Sequence, residues 1–248
     1  MDWLDWRIHY RQLFCYPFDE GNLLIDIERM RPFSDLSKPD PRHFGRGDAP
    51  VALYESLAEI QLNDSVPVKV RQLFETAKNL SLYTWFVYRF HPVASFIGYS
   101  CLEAALLPLV MKDPNFPKME WKGWFPSFRS MLNHAVSHGW LRNEGFENAR
   151  LVAKGRARHK AMIAQIEEMN AAGINEMPSR EPEEEQIEAE LAGLPYARNL
   201  VNGLPELRNA VAHGKPFLDD GSLGSLRVVA EAINQLYPEP EAAPTTDV

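Results

Sequence analysis

PVASFIGYSCLEAALLPLVM, running from Pro92 to Met111, is the stretch that decides the fold. Only one of its side chains is charged, Glu103, near the middle. A helix crossing a bilayer needs about 20 apolar residues, and this segment has that length. A lone carboxylate at its centre is costly in hydrocarbon, however, and the sequence offers no second span of the kind. A helix that is apolar all round also suits the core of a globular protein. We therefore expect a central buried helix rather than a membrane span. A buried carboxylate needs a partner; Arg208 or His213 is the expected one, and Tyr99, one turn before Glu103, is placed to join it. The competing position for Glu103 is solvent at a helix crossing.

Working outward, helical spacing recurs on both sides. Leu53, Leu57 and Ile60, with Tyr54, define a helix between Val51 and Leu62. Asp64 or Ser65 is the expected cap of the next, with Pro67 in its first turn. It should run to about Arg89, where His91-Pro92 breaks it. Beyond the central segment, Phe125 to His138 carries an inner stripe of Phe125, Phe128, Leu132, Ala135 and Val136, and Gly139 fits the position past its end. A long polar helix is expected from Glu144 to Asn170. The acidic stretch Asn175 to Glu190 reads as a solvated loop entering a short helix. Another short helix is expected from Pro205 to His213, capped by Asn202 and stopped by Gly214 and Pro216, and a last one from Leu223 to Tyr237. No alternating run reads as a strand. The fold class is all-α, an up-and-down helical bundle. Residues 1–65 are read as an N-terminal extension, irregular over its first fifty residues. Residues 66–238 form the bundle, and residues 239–248 a disordered tail.

The 248 residues are 45% hydrophobic and 24% charged, which excludes a wholly disordered chain. A formal net charge of -8 argues against duplex binding over the whole surface, though not against a local basic groove. Cys15 and Cys101, far apart, exclude a disulfide framework and a multi-cysteine zinc site, and they point to a reducing compartment. The acidic start Met1 to Trp6 is unlike a signal peptide. The expected location is the cytoplasm, with no membrane partner.

The most specific local pattern is LRNAVAHG, Leu207 to Gly214. Leu204, Leu207 and Val211 form the inner stripe of this helix, Arg208 lies at its rim, and Asn209 and His213 share the outer face one turn apart. Arg208 and His213 stand about 140° apart on an ideal wheel. A two-fold dimer would close that gap by setting each arginine near the partner's histidine. Histidine moves protons near neutral pH, and the negative helix end favours a cation there. Arginine offers a fixed fork for phosphate oxygens. Together with Asn209 as an orienting group, this is a toolkit for cleaving RNA without metal: the ribose 2′-hydroxyl attacks the adjacent phosphate, His213 handles protons, and Arg208 meets the developing charge. The alternative is a helix end whose polar groups only brace the bundle.

Arg208-Asn209 and His213 followed by Gly214, placed before the last helix, resemble the signature of the HEPN superfamily: arginine, four to six residues, then histidine. FIGYSCLEAALLPLV resembles that family's early helix, with its glutamate after an apolar turn. The resemblance covers about Val93 to Tyr237. It implies a dimeric helical bundle and a metal-independent endoribonuclease acting on single-stranded RNA in phage defence or a toxin–antitoxin system, with a possible antitoxin or defence partner. It equally allows a non-catalytic RNA-binding or protein-interaction module. On this reading Arg208, His213 and Asn209 are the catalytic set, Glu103 and Tyr99 the supporting pair, and no cofactor or metal is needed.

Arg150, Lys154, Arg156, Arg158 and Lys160 cluster without an acid between Ala149 and Ala161. They are candidates for tracking an RNA backbone; the alternatives are a solvated face or contact with the acids of Glu181–Glu190. His134 and His138, one turn apart, have a spacing that suits metal, but Ala135 stands where a zinc protease needs glutamate and no third ligand is evident. Asp219 to Gly224 lacks the lysine of a phosphate loop, and no Gly-x-Ser-x-Gly elbow occurs. The six tryptophans, Trp3, Trp6, Trp85, Trp121, Trp124 and Trp140, are expected in the core and at dimer contacts.

Overall fold

A computed structural model describes residues 29–43, 49–117, 126–214 and 219–240. Among these, eight α-helices and no strand occur, as expected of an all-α bundle. The helices are α1 (Ala49–Glu59), α2 (Val68–Tyr83), α3 (Phe90–Lys112), α4 (Phe128–Ser137), α5 (Glu147–Ala172), α6 (Glu184–Ala192), α7 (Tyr196–Ala212) and α8 (Ser222–Leu236). Expectations for Trp3, Trp6, Trp121, Trp124, Phe125, Cys15 and residues 241–248 of the tail lie outside the described residues.

α3 is the axis of the bundle. It packs on α2, α4, α7 and α8, and Cys101, Leu102, Ala105, Leu106 and Val110 are fully or almost fully buried. Burial pushes the Cys101 thiol up to about 12, so it remains a protonated thiol at neutral pH. α3 is long and apolar enough to cross a membrane, and much of its apolar surface packs on four neighbouring helices. Gly98 marks its closest approach to α8, since a Cβ there would stand 2.8 Å from Leu226 Cδ2. Leu57 and Ile60, from the end of α1, belong to the same core.

Several boundaries differ from those read in the sequence. Asp64 and Ser65 do not cap α2, whose N-cap is Pro67 without a side-chain bond. The Ser65 hydroxyl instead donates to Tyr237 O at 2.7 Å, and Asn63 Nδ2 donates to the same carbonyl at 2.9 Å. These residues serve as stitches that tie α1 to the end of α8. α2 stops at Tyr83, not Arg89: the Thr84 hydroxyl donates to Ser81 O at 2.6 Å, which favours a turn over continuation. The turn at 84–89 receives the N-terminal strap 29–43. There the Asp40 N–H donates to Trp85 O at 2.9 Å, and the Tyr88 N–H donates to Asp40 Oδ2 at 3.2 Å. Pro92 does not end a helix but sits in the first turn of α3, where its missing N–H costs nothing.

The largest difference is α7. It begins at Tyr196 and spans 17 residues, with Pro205 inside it rather than at its start, and Asn202 is not a cap. Ala197, Val201, Leu204 and Pro205 are all buried on one face. That packing holds the helix through the proline, which local preference alone would have made a start. Gly139 and Gly214 take left-handed conformations, φ 71° and 67°, just past the ends of α4 and α7.

Candidate functional site

α7 crosses α3 so that Arg208 leans over the outer side of the central helix. Its Nη2 donates to Glu103 Oε2 at 2.9 Å, with both side chains about a third exposed. The guanidinium also lies over the Phe96 ring at 5.9 Å, and Nη1 donates to Asn209 Oδ1 at 3.2 Å. Arg208 Nε is buried and makes no hydrogen bond. Glu103 thus has the partner expected of it, and its helix crossing keeps it partly open. Phe96 was not singled out in the sequence, although its position, seven residues before Glu103 and two turns along the same face, could have shown it.

His213 closes α7. Its backbone N–H donates to Asn209 O at 2.9 Å, while its side chain and that of Asn209 are exposed. The chain therefore presents three groups of different character at one helix end: a paired guanidinium at the rim, an open amide and an open imidazole. Beside them α3 leaves a stripe incompletely covered, comprising Val93, Phe96, Ser100, Ala104, Leu107 and Met111. Tyr99 does not join this group. It is buried, and its hydroxyl pairs with Ser225 of α8 at 2.9 Å: four residues before Glu103 it lies about 40° round the helix, on the side that meets α8.

The basic stretch lies on α5, away from α7. Arg150 donates to Glu188 at 2.7 Å and to Glu184, Arg158 to both oxygens of Glu181, and Lys160 to Glu190. The Glu188 hydrogen bond, then the charge of Glu184, hold the Arg150 guanidinium above its ordinary range, and Arg158 holds the Glu181 carboxyl below its own. Three of the five cations are thus met by the acids of the following segment. Lys154 and Arg156 are exposed, and neither forms an ion pair among the described residues.

His134 and His138 form a further cluster, with ring centroids 3.9 Å apart. His134 Nε2 bonds Asp113 Oδ2 at 2.8 Å, and Phe116 and Trp140 meet the His134 ring edge-on. That bond, followed by one from the Asn115 N–H, lowers the Asp113 carboxyl below its usual range. No group of three residues suited to a metal ion occurs among the described residues. Asp113 therefore pins a buried histidine to the loop after α3.

Comparison with models of known protein families finds no match to this chain, and comparison with curated proteins and with solved structures finds none either.

Proposed function

We propose that this chain is a metal-independent endoribonuclease of the HEPN type, cleaving single-stranded RNA at a site completed by a second copy. The observation that supports it is the surface position of Arg208, held by Glu103 and Phe96, on the same helix end as the open His213 five residues on. In the reaction, a ribose 2′-hydroxyl forms a bond to the adjacent phosphorus and the bond to the 5′-oxygen breaks. One histidine takes the hydroxyl proton and another, supplied by the second copy, protonates the leaving oxygen. Arg208 faces the charge that grows on the phosphoryl oxygens, while Asn209 keeps the guanidinium aimed. Cytoplasmic phage defence or toxin–antitoxin pairing is the setting this reading implies.

The ion pairs favour a second reading. Glu103 occupies part of the Arg208 fork, and Glu181 with the α6 acids covers much of the basic stretch, as befits a non-catalytic module that binds protein. One experiment separates the two. RNA is incubated with wild type, His213→Ala and Arg208→Ala in EDTA, and products are examined for 2′,3′-cyclic phosphate ends. The nuclease reading requires cleavage by wild type and a loss of at least about 100-fold in His213→Ala, the usual scale of acid–base catalysis. Absence of cleavage, together with no RNA affinity even at low salt, favours the interaction module.

A further inference from the structure

We propose that the outer face of α5 pairs with the same face of a second copy of this chain, antiparallel, about a two-fold axis. α5 is 26 residues long, about 39 Å at 1.5 Å per residue, yet it packs chiefly on α6 and buries only Ala149, Ala153 and Ala157. The following segment and α6 lie along its inner flank through Glu181, Glu184, Glu188 and Glu190. The opposite face is apolar and open: Leu151, Val152, Met162, Ile163 and Ile166 are each 44–58% exposed. Solvent-facing helix surfaces rarely concentrate so many large aliphatics.

The spacing of that face suits a helix partner. Val152, Gly155, His159, Met162 and Ile166 follow one another at intervals of three, four, three and four residues, the repeat of a coiled-coil seam. Gly155 has open space where its Cβ would lie, so a second backbone can come close at that level.

Charge selects the occupant and its direction. Arg156 and Glu167 lie on the same flank of this seam, at about 100° of helical turn per residue, and neither forms an ion pair among the described residues. A two-fold axis across antiparallel helices brings like flanks together, so Arg156 meets the partner's Glu167 and, by the symmetry, Glu167 meets the partner's Arg156. A parallel pair would bring opposite flanks together and set Arg156 beside the partner's Arg158, cation against cation.

This interface is distinct from the α3–α7 face on which the proposed nuclease site depends. Sedimentation equilibrium over a concentration series tests it, beside RNA cleavage on the same samples. Ile166→Glu should weaken self-association at least tenfold without loss of helical signal. Arg156→Glu and Glu167→Arg should each weaken it, and the double variant should restore it. Where both interfaces operate, Ile166→Glu reduces a larger assembly to a dimer that still cleaves RNA. In protein carrying Cys15→Ser, Val152→Cys with Asn170→Cys should form an intermolecular disulfide on mild oxidation, and neither single variant should. Self-association untouched by Ile166→Glu, disulfides formed by either single variant, or a monomer at every concentration would overturn the proposal. The nuclease reading fails separately, by absence of cleavage in wild type.

Discussion

α3 and α5 are the two longest helices, 23 and 26 residues, and they use their length in opposite ways. α3 is apolar on nearly every side and touches four helices, so most of its side chains are held by packing. α5 presents alanines inward, carboxylate-paired cations along its flank and aliphatics outward. Its hold on the body comes from its root, where Asn143 Nδ2 donates to Leu191 O and Leu194 O at 3.0 and 2.6 Å and Asn143 Oδ1 accepts from the Ala197 N–H at 3.0 Å. The lesson is that helix length says little about where stability resides. Burial around the circumference decides it, and α5 is an arm whereas α3 is a mast.

Truncation should break the symmetry between them most sharply. Leu102→Ala, at a fully buried site on α3, should cost about 2–5 kcal/mol. Ile163→Ala, on the open face of α5, should stay within about 0.5 kcal/mol when measured in dilute protein. Urea unfolding of both variants checks the pair. Equal losses would mean that α5 is buried in solution by something tighter than the association proposed above.

The strap adds to the α3 side. Burial opposes charge on Asp40, but hydrogen bonds from the Arg42 side chain and from the Arg42 and Tyr88 N–H groups outweigh it and hold the carboxyl well below its usual range. A carboxyl lowered on folding stabilises fully above its unfolded value, about 3.9, and loses that contribution as pH falls below it. Asp40→Asn should therefore cost about 1–3 kcal/mol at neutral pH, and the variant should show less further loss between pH 4 and 2 than wild type. Thermal unfolding across that range reads the difference.

Much of this division was legible in the sequence. The Pro92–Met111 run marks the mast because one charge among so many apolar residues leaves few alternatives. LRNAVAHG places Arg208 at a rim and His213 at an end by helical spacing alone, and Glu103 as partner follows from its isolation. What was hidden depends on tertiary contact. Pro205 reads as a helix start until the buried face of Ala197, Val201 and Leu204 carries the helix through it. Ser65 reads as a cap until the Tyr237 carbonyl arrives from the far end of the chain. Tyr99 reads as a neighbour of Glu103 until α8 brings Ser225 to its hydroxyl.

Hydrogen exchange should resolve the contrast residue by residue. Amides of α3 around Leu102 to Leu106 should exchange only through global unfolding. In protein dilute enough to be monomeric, those of α5 beyond Ala161 should exchange through local opening, because few side chains there are buried. Residues 149–157, whose alanines meet α6, should fall between. Equal protection along α5 under those conditions would place the body of the protein against its outer half, whereas protection that appears only as concentration rises would match the association proposed above.

The smallest effect concerns the ion pairs of the arm. Arg158 bonds both oxygens of Glu181 at 2.7 and 2.6 Å, with both side chains well exposed. Exposed pairs of this kind add little to folding, because water already solvates the charges and ordering two long side chains opposes the gain. Arg158→Ala should leave the unfolding midpoint of the body unchanged while making the 174–183 segment more open to proteolysis. The difference from wild type should shrink as ionic strength rises and screens the pair. Leu102→Ala, whose loss is one of packing, should show no such salt dependence. Limited proteolysis at low and high salt tests both statements at once. A salt-dependent change in the global midpoint of Arg158→Ala would instead make the arm part of the cooperative unit that α3 organises.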